Sequence, residues 1–390
     1  MKRLLLLISI CISSVSFGQY TSIPDPNFEQ ALIDLGHDDV IDGQVLTSNV
    51  SGVTYLNVSN KNISDLSGID DFVGLTSFFC DNNQLTYLNV SPLLNMQYLT
   101  CNNNAIDSLI LTNGLLVPIL YELQCKNNNL TTLNLNNLSS LNDLECDNNM
   151  ITSLDLSTNT NINDVSATYN NLINIDLSNC SNLEILRLDF NDFSNIDVSN
   201  CTNLLWLIMN DNINLINLDV SFNFQLSRLE IPYTSINYIS LSNNINLENL
   251  DFSGCPIYDL NLSENINLQA LDVGGMLLLE CLNLKNGNNI NNNLDLSGGN
   301  NPNLNCITVD NISYAQTNWA NWMDNGVSFS ENCGNDCSST SNLTELNSNQ
   351  SKELIKIVNL LGQEVEYTPN TVLIYQYSDG TSEKVFTIED

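Results

Sequence analysis

The sequence predicts a solenoid of stacked, short parallel β-strands with little helix, formally an α/β fold, with a helical N-terminal cap and a small β C-terminal tail domain. Three observations support this prediction. Apolar residues recur with a period near 21, an asparagine follows seven of the eleven apolar segments at one fixed place, and the periodicity stops before both chain ends. A repeat this short has no core of its own, so neighbouring repeats must bury their apolar residues against one another.

The period is read from one apolar segment and its copies. Leu75, Phe78 and Cys80 align with the residues 21 positions later, and an asparagine follows at the same place in both segments. The last apolar residue of the segment then recurs eleven times, at Val58, Cys80, Cys101, Cys125, Cys146, Ala167, Leu188, Met209, Ile231, Phe252 and Val273. We therefore expect about eleven repeats over residues 53–299.

The segment L-x-x-L-x-L-x-x-N-x-L resembles the leucine-rich repeat, in the short form found in bacterial internalins. The resemblance covers residues 53–310 and implies a parallel sheet whose concave face binds a macromolecule. The asparagine after each strand is expected to turn inward and bond backbone groups that the bend leaves unpaired. These asparagines are Asn83, Asn104, Asn128, Asn149, Asn170, Asn191 and Asn212.

Both ends of the stack need a cap, because the terminal repeats would otherwise expose their leucines. In the predicted N-terminal cap, residues 19–52, Asp25 and Pro26 are start signals for a helix over Asn27–Leu35. Phe28, Leu32 and Leu35 lie on one face of that helix. The predicted C-terminal cap, residues 300–337, contains Trp319 and Trp322, and we expect a Cys306–Cys333 disulfide there.

The first 18 residues predict export. Lys2 and Arg3 precede an apolar run over residues 4–12, and small residues follow at a plausible cleavage point. The run is too short to span a bilayer. A lipid anchor at Cys11 is disfavoured, because Ile10 occupies the place of a small residue. Removal of residues 1–18 leaves 8 basic and 44 acidic residues, a net charge of 8 − 44 = −36.

The composition argues against several classes of function. Ten basic residues against 44 acidic ones give a net charge of −34, which disfavours nucleic-acid binding and docking to anionic lipid. The single histidine, His37, excludes His-based catalytic triads and multi-histidine metal sites. No CxxC pair is present, so zinc is unexpected. We therefore predict a binding protein without catalytic residues, cofactor or metal.

The cysteines fall into two groups. Four occupy a core-facing leucine position, which favours buried thiols that pack as small apolar groups over disulfides or metal ligands. Cys180 and Cys201 share another column, where a cross-repeat disulfide stays open, and the redox states of Cys281 and Cys337 are not predicted. The first four are Cys80, Cys101, Cys125 and Cys146.

The tail, residues 338–390, has a different pattern. Leu354–Val358 reads as a strand, and Leu373–Ser378 and Thr381–Ile388 flank the hairpin signal Asp379-Gly380. The stretches KIVNLLGQEV and PNTVLIYQYSDGTSEKVFTIE resemble the C-terminal sorting domain of type IX secretion substrates, although the first strands with their Y-P-N-P motif are missing. This resemblance implies contact with the type IX machinery and delivery to the outer surface, or release, in a Gram-negative bacterium. The alternative is a small β-cap without a sorting role.

The predicted ligand site lies on strand positions that alternate with the buried ones. Trp206 and Ile208 form the favoured patch, beside Arg187 and Arg228, and the following loops carry Tyr169, Phe190 and Tyr233. The alternative is that Trp206 has no binding role, since a single exposed tryptophan among polar residues is common in folded proteins, and the two interpretations have equal weight. Carboxylates at positions 143, 145 and 147 could attract Ca²⁺ or a basic partner, but a solvated acidic face is favoured. The predicted function is protein binding, and the alternative is an adhesive component that binds glycan or matrix by avidity.

Overall fold

The computed structural model describes residues 19–112, 114, 118–292, 294–335, 337, 354–358, 365, 372–377 and 382–386. The predicted signal segment, residues 1–18, and the Asp379-Gly380 turn lie outside these residues. The chain divides into two compact units, residues 1–338 and residues 339–390. The first unit is the solenoid with its caps, and the second contains the strands of the tail.

A single parallel sheet of twelve strands runs through the described part of the first unit. Each strand has three residues and pairs in register with the equivalent strand of the next repeat, so that Leu186 lies between Val165 and Leu207. The first eleven strands directly precede the eleven apolar residues predicted from the period. The strands are Tyr55–Asn57, Ser77–Phe79, Tyr98–Thr100, Glu122–Gln124, Asp143–Glu145, Asp164–Ser166, Ile185–Arg187, Trp206–Ile208, Arg228–Glu230, Asn249–Asp251, Ala270–Asp272 and Asp295–Ser297. The predicted parallel solenoid is therefore confirmed.

The second apolar segment of each repeat forms the opposite wall, and shorter parallel pairings occur there. Tyr87–Asn89 pairs with Ser108–Ile110, and Ser153–Asp155 pairs with Asn174–Asp176. Near the C-terminal end, four strands make one parallel sheet: Asp259–Asn261, Cys281–Asn283, Cys306–Thr308 and Ser328–Ser330. Leucines from both walls fill one continuous core between them. This stacking buries apolar surface that no single repeat could bury alone.

The inward asparagines form the predicted ladder between repeats. Asn149 is representative: its Nδ2 donates to the carbonyls of Cys125 and Cys146, and its Oδ1 accepts from Leu130 N. Asn83, Asn104, Asn128, Asn170, Asn191 and Asn212 make equivalent amide-to-carbonyl bonds. Each side chain therefore satisfies backbone groups of two adjacent repeats that are buried away from water.

Within the residues that the structure describes, the helices are few and short. They are Pro26–Asp34, Thr47–Val50, Asn289–Asn292 and Ile312–Asn318, with 3₁₀ turns at Ile69–Asp71 and Ala320–Trp322. Asp25 caps the first helix by accepting from the backbone N–H groups of Asn27 and Phe28. Phe28 and Leu32, which the sequence places on one helical face, are buried, whereas Leu35 is 46% exposed. The helix was predicted to end at Leu35, but it ends at Asp34 and Leu35 is its C-cap.

The N-terminal cap also contains a two-stranded antiparallel sheet, formed by Tyr20–Ser22 and Gln44–Leu46. The carboxylate of Glu29 is buried beside it and accepts from the backbone N–H groups of residues 42–44. Phe28 packs against Phe72 of the first repeats, with ring centroids 6.1 Å apart. The cap thereby covers the apolar end of the stack.

The opposite end is closed by Trp319 and by disulfides. Trp319 is buried, and its Nε1 donates to the carbonyl of Leu294. The predicted Cys306–Cys333 disulfide is present, together with a second one, Cys281–Cys337, that the sequence left open. Cross-links that close loops of 27 and 56 residues each stabilise a fold by about 3–4 kcal/mol in the chain-entropy model.

Seven cysteines of the described chain are free and buried. Cys80, Cys101, Cys125 and Cys146 are the stacked thiols that the sequence predicts, and Cys255 packs farther along the stack. Cys180 and Cys201 are also free, so the disulfide considered between them is not formed. These sulfurs pack as small apolar groups.

The tail unit contains three antiparallel strands in the residues described. Leu354–Val358 pairs with Val372–Tyr377, which pairs with Ser382–Phe386. These strands lie where the alternation of the sequence predicts them. In the described residues, no helix has the length and apolar character needed to cross a membrane.

Candidate functional site

The solvent-facing side of the twelve-stranded sheet carries the predicted site residues; we call it the sheet face. Two side chains of each strand, on either side of a buried central residue, belong to it. The register aligns the first of these in one row: Tyr55, Ser77, Tyr98, Glu122, Asp143, Asp164, Ile185, Trp206, Arg228, Asn249, Ala270 and Asp295. Each row therefore presents one side chain about every 4.8 Å.

Trp206 lies between two arginines in the middle of the sheet face. The guanidinium carbons of Arg187 and Arg228 are 5.9 Å and 5.6 Å from the centre of its ring. Arg187 forms an ion pair with Asp164 at 2.8 Å, and Arg228 pairs with Glu230 at 2.6 Å. The three predicted residues are therefore brought together as a stack of cation–π contacts, with both cations held by neighbouring carboxylates.

The sequence predicts an exposed apolar patch formed by Trp206 and Ile208, but Ile208 is not exposed. This side chain is only 8% exposed, and Trp206 is partly buried. Ile208 pairs in register with Arg187 on one side and Glu230 on the other. The long side chains of Arg187 and Glu230 cover Ile208, although the alternation of the sequence predicts that this position is exposed to solvent.

An aromatic ridge lies three residues beyond the ends of the central strands and consists of Tyr169, Phe190 and Tyr233. These side chains are 51%, 41% and 57% exposed. The Tyr169 and Phe190 rings stack with centroids 4.3 Å apart, while the Tyr233 ring lies where a side chain on Gly254 would clash. Tyr169 and Phe190 thus form one continuous aromatic surface, and Tyr233 adds a third ring along the same edge.

All three ridge residues have left-handed backbone, with φ between 52° and 56°. Five earlier repeats place asparagine at the equivalent position, the repeat between Phe190 and Tyr233 places aspartate, two later ones place glycine and the last places asparagine. These residues are Asn60, Asn82, Asn103, Asn127, Asn148, Asp211, Gly254, Gly275 and Asn300. A left-handed conformation costs a bulky L-residue roughly 1–2 kcal/mol, whereas asparagine and glycine tolerate it. The ridge therefore places exposed rings where the backbone would favour small or amide side chains.

Carboxylates dominate the sheet face next to Arg187. Burial raises the pKa of Asp143 to about 6, and the negative charges of Asp164, Glu145 and Glu122 add to this effect. Burial also raises the pKa of Asp164, although Arg187 opposes the shift. Glu145 is paired with Lys126. Burial is the largest cause of both pKa shifts, and the smaller contributions from Asp164, Glu145 and Glu122 indicate a negative potential around Asp143.

A second group of aromatic residues lies near the N-terminal end of the sheet face, and the sequence reasoning did not single it out. Tyr55 packs against Phe79 at 5.3 Å, and Tyr98 packs against Tyr121 at 6.0 Å between ring centroids. Tyr55 and Tyr98 occupy the same row as Trp206, so the repeat register could have identified them.

Several solved structures are similar to this chain. An internalin from Listeria monocytogenes, InlF, matches with a TM-score of 0.50 and 20% identity, over 74% of this chain and 89% of that one. The functional domain of InlJ from Listeria monocytogenes, which includes a cysteine ladder, matches at 0.48 and 21%, over 96% and 100%. A leucine-rich-repeat protein of Leptospira interrogans matches at 0.46 and 20%, over 68% and 79%.

The chain has the leucine-rich-repeat fold. The internalin match and the parallel solenoid agree on this, and at 20% identity the match describes the fold alone. No protein-family model and no curated protein matches the sequence. The site residues of this leucine-rich-repeat chain are therefore interpreted from their own geometry.

Proposed function

We propose that this chain is an exported leucine-rich-repeat protein that binds a basic protein surface on its sheet face and catalyses no reaction. The observation that carries the proposal is the aromatic ridge. Three rings occupy left-handed backbone positions, and about half of each side chain remains exposed to solvent. Local strain of this kind persists at binding sites, where the side chain serves the ligand more than the fold.

The charge of the surface favours a basic partner. The carboxylates near Asp143 and Asp164 create a negative potential, and lysine or arginine side chains of a partner would neutralise it in part. Such cations also interact favourably with the faces of exposed aromatic rings. The ridge would then provide apolar contact area, and the carboxylates would orient the basic partner on the surface.

We also propose that the chain is delivered to the cell surface of a Gram-negative bacterium, or released from it. The signal-like residues 1–18 and the resemblance of the tail to type IX sorting domains support this route. The two disulfides suit an oxidising compartment. Deletion of residues 338–390 in a host with type IX machinery is expected to retain the protein in the periplasm; unchanged surface delivery would contradict the route.

The binding proposal is tested by a triple variant, Tyr169→Asn, Phe190→Asn and Tyr233→Asn. The mature protein is cross-linked to isolated surface proteins, the captured partner is purified, and its affinity is measured by surface plasmon resonance. We expect the triple variant to bind at least about tenfold more weakly, since each lost aromatic contact contributes on the order of 1 kcal/mol.

The matched control is Tyr238→Asn. Tyr238 is 55% exposed and lies outside the sheet face and the ridge. The Tyr238→Asn variant should leave the affinity for the partner unchanged. Equal affinities of the triple variant and wild type would reject the sheet face and its ridge as the binding surface.

A further inference from the structure

A polar groove of about 520 Å³ lies along the side of the long sheet where the chain enters the strands. Its size is within the range of ligand pockets, roughly 300–1,000 Å³. Five asparagines, one serine, one tyrosine and one glutamate line it: Tyr121, Ser140, Asn142, Asn161, Asn163, Asn182, Glu184 and Asn203. The groove is separate from the aromatic ridge, which follows the strands instead of preceding them.

The groove consists of two rows of side chains in repeat register. In the first row, successive backbone bonds join Asn142 N to Tyr121 O, Asn163 N to Asn142 O, and Glu184 N to Asn163 O. The second row, Ser140, Asn161, Asn182 and Asn203, is formed by residues two positions earlier in each repeat. A ligand that extends along the groove would therefore meet similar polar groups in each repeat from Tyr121 to Asn203, about 4.8 Å apart.

The amides are oriented by bonds to the backbone. Asn142 Nδ2 donates to Asn161 O at 3.0 Å, and Asn163 Nδ2 donates to Asn182 O at 3.2 Å. In the second row, Asn182 Nδ2 donates to Thr160 O at 3.0 Å. Each of these amides keeps one further N–H and an Oδ1 acceptor without a hydrogen-bond partner among the described residues. The groove thus offers fixed donors and acceptors side by side.

We propose that this groove binds a neutral oligosaccharide. Sugar hydroxyls both donate and accept, which matches a row of amides, whereas an ammonium group would only donate. The exposed ring of Tyr121, 46% accessible, can cover the apolar face of one sugar unit, and the carboxylate of Glu184 can accept from hydroxyls.

Other ligand classes fit the groove less well. An anion would meet Glu184 in a chain of net charge −34. An extended peptide that adds a strand needs an unpaired sheet edge, but the backbone groups of Tyr121, Asn142 and Asn163 already bond to neighbouring repeats. A neutral, hydroxyl-rich chain is the class that the charge and the hydrogen-bond pattern both favour.

The test is calorimetric titration of the mature chain, residues 19–390, with cellohexaose, chitohexaose and maltohexaose. We expect at least one hexasaccharide to bind saturably. Tyr121→Ala and Asn163→Ala should each weaken that binding by about tenfold, which corresponds to roughly 1.4 kcal/mol for a lost ring contact or hydrogen bond.

Asn246→Ala is the matched control. Asn246 Nδ2 donates to Phe224 O at 2.9 Å, the same kind of bond as that of Asn182, but it lies outside the groove. The control should bind like wild type, and so should the triple ridge variant, which separates this site from the proposed protein-binding surface. No saturable binding of any hexasaccharide, or equal affinity of Tyr121→Ala and Asn246→Ala, would overturn the proposal.

Discussion

The ring of Tyr169 stacks on the ring of Phe190, with centroids 4.3 Å apart and planes inclined by 10°. Both residues have left-handed backbone, with φ of 52° and 53°. The stack therefore combines a favourable ring contact with two unfavourable backbone conformations. These opposing terms determine how substitutions in the ridge should change stability.

The double variant Tyr169→Asn/Phe190→Asn should be more stable than wild type. It loses one ring stack, worth about 1 kcal/mol, and relieves left-handed strain of roughly 1–2 kcal/mol at each of two residues. We expect a net gain of about 1–3 kcal/mol in the free energy of unfolding, measured by urea denaturation. The reverse change, Asn148→Tyr, puts a ring on a residue with φ of 53° and should lower stability. A less stable double variant would contradict the strain interpretation.

The carboxyl group of Asp143 should make stability depend on pH. Its pKa is raised from the ordinary 3.8 to about 6 in the folded chain, so the folded state binds the proton more tightly than the unfolded state does. The charged form therefore destabilises the fold above pH 6, and this penalty disappears below about pH 3.8. Asp143→Asn should add about 1 kcal/mol at pH 8, after allowance for solvent screening, and nothing at low pH.

Asp176→Asn is the control of opposite sign for this pH series. Hydrogen bonds from the side chain and backbone of Ser178 lower the pKa of Asp176. Its stabilising effect is therefore present above the ordinary pKa of 3.8 and is lost as the pH falls through the lower folded value. Urea unfolding should show a gain for Asp143→Asn at pH 8 that largely disappears at pH 4, because most of the Asp143 penalty is lost between pH 6 and pH 3.8. The loss for Asp176→Asn should be present at pH 8 and still largely present at pH 4. Parallel curves for wild type and both variants would refute the assignment.

The inward asparagines should be among the least replaceable polar residues. Asn149→Ala removes the side chain that bonds Cys125 O, Cys146 O and Leu130 N, so buried backbone groups lose their partner. We expect a loss of about 2–4 kcal/mol in unfolding free energy, measured by urea denaturation. Asn246 is half-buried and donates to one carbonyl through a solvent-exposed bond, and its alanine variant should lose less than about 1 kcal/mol. Equal losses of unfolding free energy for Asn149→Ala and Asn246→Ala would show that burial of the hydrogen bonds does not determine the loss of stability.

The seven free thiols should be unreactive in the native protein. Burial raises the pKa of Cys125 and Cys201 to about 12 and that of Cys180 to about 11, so little thiolate exists near neutral pH. Iodoacetamide at pH 8 without reductant should label none of the seven in the native chain. In urea it should label all seven and leave the two disulfides intact. Rapid native labelling of any of them would show that its repeat opens readily.

The sequence by itself determined the architecture of the repeats. Eleven apolar segments at nearly constant spacing specify stacked strands, and the asparagine after seven of them follows from the need to satisfy backbone groups that the bend leaves unpaired. Asp25 and Pro26 marked the start of the first helix, since cap preferences are local. The Cys306–Cys333 pair was also identified, within a segment that had to close the stack. These features depend on periodicity or on residues near one another in the chain.

Only the tertiary structure decided what each outward position contacts. Ile208 is buried and Trp206 lies between Arg187 and Arg228, because side chains from adjacent repeats cover one another across the sheet. The left-handed backbone of Tyr169 and the pairing of Cys281 with Cys337 also emerged only from the fold. Periodicity fixes which side of a strand a residue occupies, but burial, ring stacking and pKa depend on neighbours about 21 residues away in sequence and one repeat away in space.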